Sequence, residues 1–420
     1  MSNSALLYFN AALYVLTFFL YQYKKKAFDI GSFVLLLYSV SACVAIDLFK
    51  YAEDVIYVSI GDLTLFPFVY LYICLMLLFL PLLKFSDKKM GNFPIENNKL
   101  LNVLTYYAII IYIFDFATTS FEYVSLSQLF SPEVLSDSYQ ETLSRAYNSE
   151  FAEAGFLERF FSIQKGALQD IILILFVYNL LLKRKWQSLL LLVCLFFDFY
   201  FVISTGQRFG LMKFILVGIF FYLILGKMFS GRTKKIIKYF FGSLVLVVLI
   251  AFAATTFGRF GDRDIPILPY LESYFSQAFI VFDNYGLDAG GLRYGDYTFP
   301  LGRRLLGLDY TKTIFESVDK FFYMKTDASV FNSVVGDFSL DFGPIITFVL
   351  FVGFYLFFKK TTFAPETYGF HHLLMFLVLW NICTFGFVAF YYFRTDGNIR
   401  LLLNLVVYFL LSRKFIVKRF

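Results

Sequence analysis

Charge is what this sequence has least of, and the shortage argues against a soluble fold. Only 16% of its 420 residues are Asp, Glu, Lys or Arg, where about 25% is usual in soluble domains. Hydrophobic residues reach 59%, against about 45–50% in such domains. No soluble core hides that much apolar surface, so the solvent implied is lipid. Histidine is nearly absent: the two present, His371 and His372, are adjacent. The four cysteines, Cys43, Cys74, Cys194 and Cys383, each lie in an apolar run and share no motif. Neither a disulfide framework nor a thiolate metal site follows from them. There is no H-E-x-x-H, no C-x-x-C, no P-loop and no G-x-S-x-G with an accompanying histidine. Metalloprotease, redox, nucleotide-driven and serine-hydrolase chemistries therefore lack their residues. No metal, cofactor or nucleic-acid partner is expected.

What is present is a succession of apolar windows long enough to span a bilayer. They predict an all-α polytopic membrane protein with about 11 transmembrane helices in a single domain, residues 1–420. The windows lie near Ala5–Tyr23, Ile30–Leu48, Leu65–Leu83, Leu100–Thr119, Gly166–Leu182 and Ser188–Ser204. Further ones lie near Phe209–Leu225, Ile236–Thr256, Phe342–Phe358, His371–Phe390 and Ile399–Leu411. The first reads as a span rather than a cleaved signal peptide, because Lys24, Lys25 and Lys26 follow its apolar stretch instead of preceding it.

Alternate loops sort by charge. One set, from Lys24–Lys26 to Arg413–Arg419, holds 21 of the 37 basic residues but only four of the 31 acidic ones. By the positive-inside rule that set is cytoplasmic, which puts the N-terminus outside and the C-terminus inside. Both histidines then fall at the cytoplasmic end of a span, unable to serve chemistry outside. Of the 21 cytoplasmic basic residues 17 are Lys, whereas ten of the other 16 are Arg. Lysine suffices to anchor against anionic headgroups, while arginine grips phosphate in a two-point fashion.

Two outer loops are long, about Ser120–Ile163 and Gly258–Asp341, and short interfacial helices are expected in them. The second carries Arg259, Arg263, Arg293, Arg303 and Arg304 among glycines and aromatics. Arg394 lies on the outer side before the last span. Arg208, in Ser204-Thr205-Gly206-Gln207-Arg208, opens the seventh span, where free N–H groups and the helix dipole favour phosphate. An interfacial arginine snorkelling to headgroups is the competing reading.

The stretch from Asn332 to Pro344 leads into the ninth span. Asp337 and Asp341 are four residues apart and share a helical face, a pair that suits a general base. Two acids placed at a helix N-terminus is the plainer alternative. Asp283 and Asp288 are further candidates for a base. Asp115 and Asp198 fall in the outer halves of their spans, where acids are functional candidates, and Lys213 is an obvious partner.

Many spans, Thr205-Gly206-Gln207-Arg208 opening a middle helix, an Arg- and Tyr-rich outer loop, and an Asn-(x)8-Asp-Phe-Gly segment from Asn332 to Gly343 form a pattern. It resembles the bacterial oligosaccharide repeat-unit polymerases of O-antigen and capsule assembly, the Wzy type. More distantly it is similar to the O-antigen ligases. The resemblance implies an architecture like that of other polytopic lipid-linked glycosyltransferases (GT-C-like). It implies inverting, metal-independent glycosyl transfer on the outer face of the cytoplasmic (inner) membrane. Donor and acceptor would be undecaprenyl-diphosphate-linked oligosaccharides, with a chain-length regulator and a flippase as partners. Family arginines hold the diphosphate, and the matching position is Arg208. The ligases carry a histidine just before the asparagine of the comparable segment; here Phe331 stands there, which weakens the ligase reading. From a different class, a polysaccharide flippase or transporter predicts translocation without bond formation.

Overall fold

The computed structural model describes residues 2–91, 97–119, 155–205, 208–228, 267–326, 332–364 and 366–417, with isolated positions elsewhere. Among these residues the chain is helical and has no strand. It forms two compact units. The first comprises Met1–Phe85, Asp264–Phe363 and Leu379–Asn398, and the second Ser86–Arg263, Ala364–Val378 and Ile399–Phe420.

Among the described residues seven helices are long and apolar enough to cross a membrane, or up to eight if a bent pair counts as one span. Six match the windows read from sequence: α1 (Asn3–Lys25), α2 (Ile30–Leu48), α3 (Leu65–Leu83), α4 (Lys99–Thr119) and, later, α7 (Lys185–Ser204) and α8 (Arg208–Met228). The α1 ends are set locally. Ser2 Oγ accepts from Ala5 N, Lys26 takes the left-handed conformation that closes the helix, and Lys24 and Lys25 sit where the dipole favours cations. Asp29 and Ser32 form a capping box that starts α2.

The expected span Gly166–Leu182 is instead two helices, α5 (Phe156–Leu168) and α6 (Ile171–Leu181), bent by 63°. Helix α8 (Arg208–Met228) begins at Arg208, where the sequence placed its start. The window Ile236–Thr256 falls largely outside the described residues, as does most of the loop 120–163.

The long segment before residue 341 holds more structure than interfacial helices. It contains α9 (Ile267–Tyr285), which is less apolar than the spanning helices, then the short α10 (Pro300–Leu305) and α11 (Ile314–Lys320). Helix α12 (Ser333–Thr361) starts before the expected Phe342 and is broken at Gly343 (φ 78°), with Pro344 next. Glycine reaches that φ freely, and a proline cannot donate to the preceding turn, so the sequence dictates the break. Helix α13 (Phe370–Phe385) ends sooner than the window to Phe390, and α14 (Arg394–Val417) follows a turn.

Aromatic rings supply the core of the first unit. Tyr14 of α1 lies 6.0 Å from Tyr38 of α2 and 5.5 Å from Phe279 of α9, and Tyr38 lies 4.7 Å from Phe79 of α3, centroid to centroid. The abundance of Phe and Tyr thus has a packing role here. The opposite helix faces carry exposed Leu16, Phe19 and Leu20 on α1 and Ile345, Ile346 and Val349 on α12. Water leaves such faces unsatisfied, and lipid does not.

Candidate functional site

The first part of α12, Ser333–Phe342, organises a buried polar centre in the first unit. Its start is capped by backbone: Ser333 N donates to Val388 O (3.3 Å), Val334 N to Gly386 O (2.7 Å), and Gly336 N to Ser333 Oγ (3.1 Å). Asn332, just before it, is buried and donates to Val330 O at 2.8 Å. These N–H groups are spoken for, so this helix start is not a phosphate cradle.

Asp337 and Asp341 share a face, as their spacing requires, and both are buried. Their surroundings differ. Asp341 Oδ2 accepts from Thr298 N (2.8 Å) and Thr298 Oγ1 (2.7 Å), and its Oδ1 stands 3.0 Å from Arg293 Nε. That last contact is an ion pair whose N–H is not aimed as a hydrogen bond, so both atoms lack a directed partner. Asp337 Oδ2 accepts from Phe390 N at 2.7 Å, and its Oδ1 accepts no hydrogen bond among the described residues. Each carboxylate thus has one oxygen without a directed hydrogen bond among the described residues, but Asp341 Oδ1 faces the Arg293 guanidinium whereas Asp337 Oδ1 has no ion pair.

Arg293 is held from several sides. Its guanidinium lies 4.6 Å from the Tyr297 ring centroid, and a terminal nitrogen donates to Asp337 O at 3.4 Å. Its backbone N–H bonds Leu340 O (3.0 Å), and Tyr294 N bonds Asp341 O (2.8 Å). Segment 293–298 is thereby laid along the end of the half-helix. Gly295, at φ 79°, passes so close that a Cβ would stand 3.1 Å from the Phe342 ring. Asn398 ties the same segment to the turn before α14, donating to Thr298 O (2.9 Å) and Tyr392 O (2.7 Å).

The other arginines sit differently. Arg303 is occupied: Nε lies 3.4 Å from Asp296 and 2.8 Å from Asp309 O, and a terminal nitrogen donates to Tyr294 O at 2.8 Å. Arg304 and Arg394 are exposed, the backbone of Arg394 bonding Tyr297 O at 3.2 Å. Arg208 opens α8 in the second unit, and its side chain lies outside the described residues together with Arg259 and Arg263. The structure thus brings Arg293, Asp337 and Asp341 together, with Asn332 at the start of the same half-helix. Thr298 and Asn398, which help hold them, were not singled out from sequence.

Asp283 of α9 is a further unusual carboxyl. Oδ1 accepts from Thr64 N at 2.8 Å, whereas Oδ2 is buried without a hydrogen-bond partner among the described residues. Burial pushes its pKa up to about 7, against the lowering effect of the Thr64 bond. Asp288 is exposed and hydrogen-bonded to Lys325 Nζ at 2.6 Å, which holds its pKa below the usual carboxylate range.

The second unit has its own charge cluster at the α5–α6 break. Lys165 Nζ lies 2.8 Å from Asp115 and 3.5 Å from Asp198. Lys165, which the sequence reading passed over, is the cation that reaches both intramembrane acids. Lys213 donates to Gln169 Oε1 at 2.7 Å, Asn404 to buried Asp170 at 2.8 Å, and Arg400 Nε to Gly166 O at 2.8 Å. The break deprives backbone carbonyls of helical donors, and Arg400 serves one of them. Among the described residues no group of His, Cys, Asp and Glu is placed to hold a metal ion.

Fold and surface together define a helical, multi-pass membrane protein. Comparison with family models, curated proteins and solved structures gives no significant match to this chain.

Proposed function

We propose that this protein is an inverting glycosyltransferase that polymerises undecaprenyl-diphosphate-linked oligosaccharide repeat units at the outer face of a bacterial cytoplasmic membrane. One observation carries the reading most. The Asn332–Gly343 segment, on which the family resemblance rests, is a buried half-helix. In it Asp337 Oδ1 has neither a hydrogen bond nor an ion pair among the described residues, while Asp341 Oδ1 beside it faces Arg293.

The chemistry is a single displacement. An acceptor sugar hydroxyl attacks the anomeric carbon of the donor sugar, the carbon–oxygen bond to the diphosphate breaks, and configuration inverts. The hydroxyl proton passes to Asp337 Oδ1. Undecaprenyl diphosphate leaves carrying the charge that arginines stabilise. Diphosphate is already a good leaving group, which fits a sequence without nucleotide or metal motifs. Asp341, hydrogen-bonded by Thr298 and ion-paired with Arg293, is a positioning residue in this scheme.

Purified protein given a lipid-linked oligosaccharide should lengthen it and release undecaprenyl diphosphate. Unchanged glycan length with translocation across vesicles would favour the transporter reading instead. That second reading has support of its own in the charges gathered at the α5–α6 break, a feature common in transporters.

A further inference from the structure

The lipid-facing surface of α12 begins at Ile345 (82% exposed) and continues through Val349 (63%). Four residues before Ile345, the Asp341 carbonyl accepts the Tyr294 N–H at 2.8 Å, which places Tyr294 beside the end of that surface. Tyr294 is itself 67% exposed and held at φ 54°, a left-handed conformation that tyrosine rarely adopts. Arg303 donates to the Tyr294 carbonyl at 2.8 Å, and directly after Arg303 come Arg304, Leu305 and Leu306. Leu305 and Leu306 are 77% and 76% exposed, and Leu308 is 49% exposed.

These residues make an apolar ridge that is left exposed among the described residues. It is tied, through the Tyr294 N–H bond to the Asp341 carbonyl, to the segment that leads into the exposed apolar face of α12. The ridge also carries a free cation. Arg303 is consumed by Asp296 and Asp309, but the exposed Arg304 guanidinium has no hydrogen bond or ion pair among the described residues. A phenol, leucines and an unpaired arginine at the end of a lipid-facing surface match the chemistry of the headgroup region. Amphipathic rings anchor there, apolar side chains reach acyl carbons, and cations find phosphate.

We propose that Tyr294, Leu305, Leu306 and Leu308 lie in the interfacial region of one leaflet, with Arg304 bound to a phospholipid phosphate. The ridge thereby fixes the depth of the segment that Arg293 attaches to Asp341. The proposal does not depend on glycosyl transfer and stands or falls separately from it.

The test uses the full chain in bilayer nanodiscs containing anionic phospholipid. Cys43, the only native cysteine exposed in the structure, is replaced by Ala. Nitroxide labels are placed by Leu306→Cys, by Leu308→Cys and, as a water-side reference on α11, by Asp319→Cys. All three positions are exposed or nearly so, so the core is undisturbed. Labels at 306 and 308 should meet oxygen severalfold more readily than a soluble nickel chelate, with the order reversed at 319. Arg304→Gln should move the 306 label toward the chelate. A 306 label that meets the chelate as freely as the 319 label, or that is indifferent to Arg304→Gln, overturns the proposal.

Discussion

Arg293 and Asp341 meet at 3.0 Å with side chains 3% and 0% exposed, so each charge depends on the other for its place in a nearly waterless interior. Their attachment fixes segment 293–298 against the half-helix that carries Asp337. Removing one partner strands the other charge. Arg293→Ala should therefore destabilise the protein by about 3–5 kcal/mol. Adding Asp341→Asn should restore part of that loss, a coupling readable in a double-mutant cycle of detergent-state unfolding. Strict additivity would show the pair to be energetically independent.

A second expectation concerns pH. Asp283 has its folded-state pKa raised to about 7 by burial, above the ordinary value near about 3.9. Within that window the folded protein binds more protons than the unfolded chain, so stability falls as pH rises from about 4 to about 7 and is flat above. Since one pKa unit is about 1.4 kcal/mol, and the carboxyl is partly solvated, the expected loss is about 2 kcal/mol. Asp283→Asn should flatten this profile, as followed by the unfolding midpoint between pH 4 and pH 8. An unchanged slope in the variant would assign the dependence to other groups.

The sequence made some of this legible and hid the rest, for identifiable reasons. Long apolar runs such as Leu65–Leu83 gave spans directly, and the four-residue spacing of Asp337 and Asp341 placed them on one helical face. Helix α9 was not visible as a packed helix because Glu272 and Asp283 dilute its apolarity, although its inner face carries Phe279 and Phe282. The α5–α6 break lay inside what read as one window, since Gln169 and Asp170 are only two polar residues in an apolar run. Thr298 was hidden by distance: it serves Asp341 across 43 residues of chain, and no local pattern announces such a bond.

The family resemblance yields an expectation for Arg208, which opens α8. Arg208→Ala should abolish polymer while the protein still inserts. Arg208→Lys should rescue poorly, because a point charge does not reproduce two-point phosphate binding. Glycan chain length measured on gels from complemented cells decides it. Normal chains in the Arg208→Ala strain would remove this residue from the reaction.

Sidedness is testable independently of chemistry. Cysteines introduced within 258–341 should react with a membrane-impermeant reagent from outside, as the surplus of lysines in the alternate loops implies by the positive-inside rule. Reaction only after membrane disruption would place this segment inside and invert the topology.

The most direct measurement follows product length with time, using purified protein in nanodiscs and an undecaprenyl-diphosphate-linked oligosaccharide as sole substrate. The wild-type chain should give a ladder of repeat units, releasing one undecaprenyl diphosphate per bond formed. A general base contributes about 10²–10⁴-fold in rate, so Asp337→Asn, which keeps size and polarity, should slow the ladder by that factor. Its unfolding midpoint should stay close to wild type. A wild-type protein that leaves the substrate at one repeat unit contradicts the assignment as a polymerase. An Asp337→Asn variant that polymerises at the wild-type rate contradicts the role given to this carboxylate.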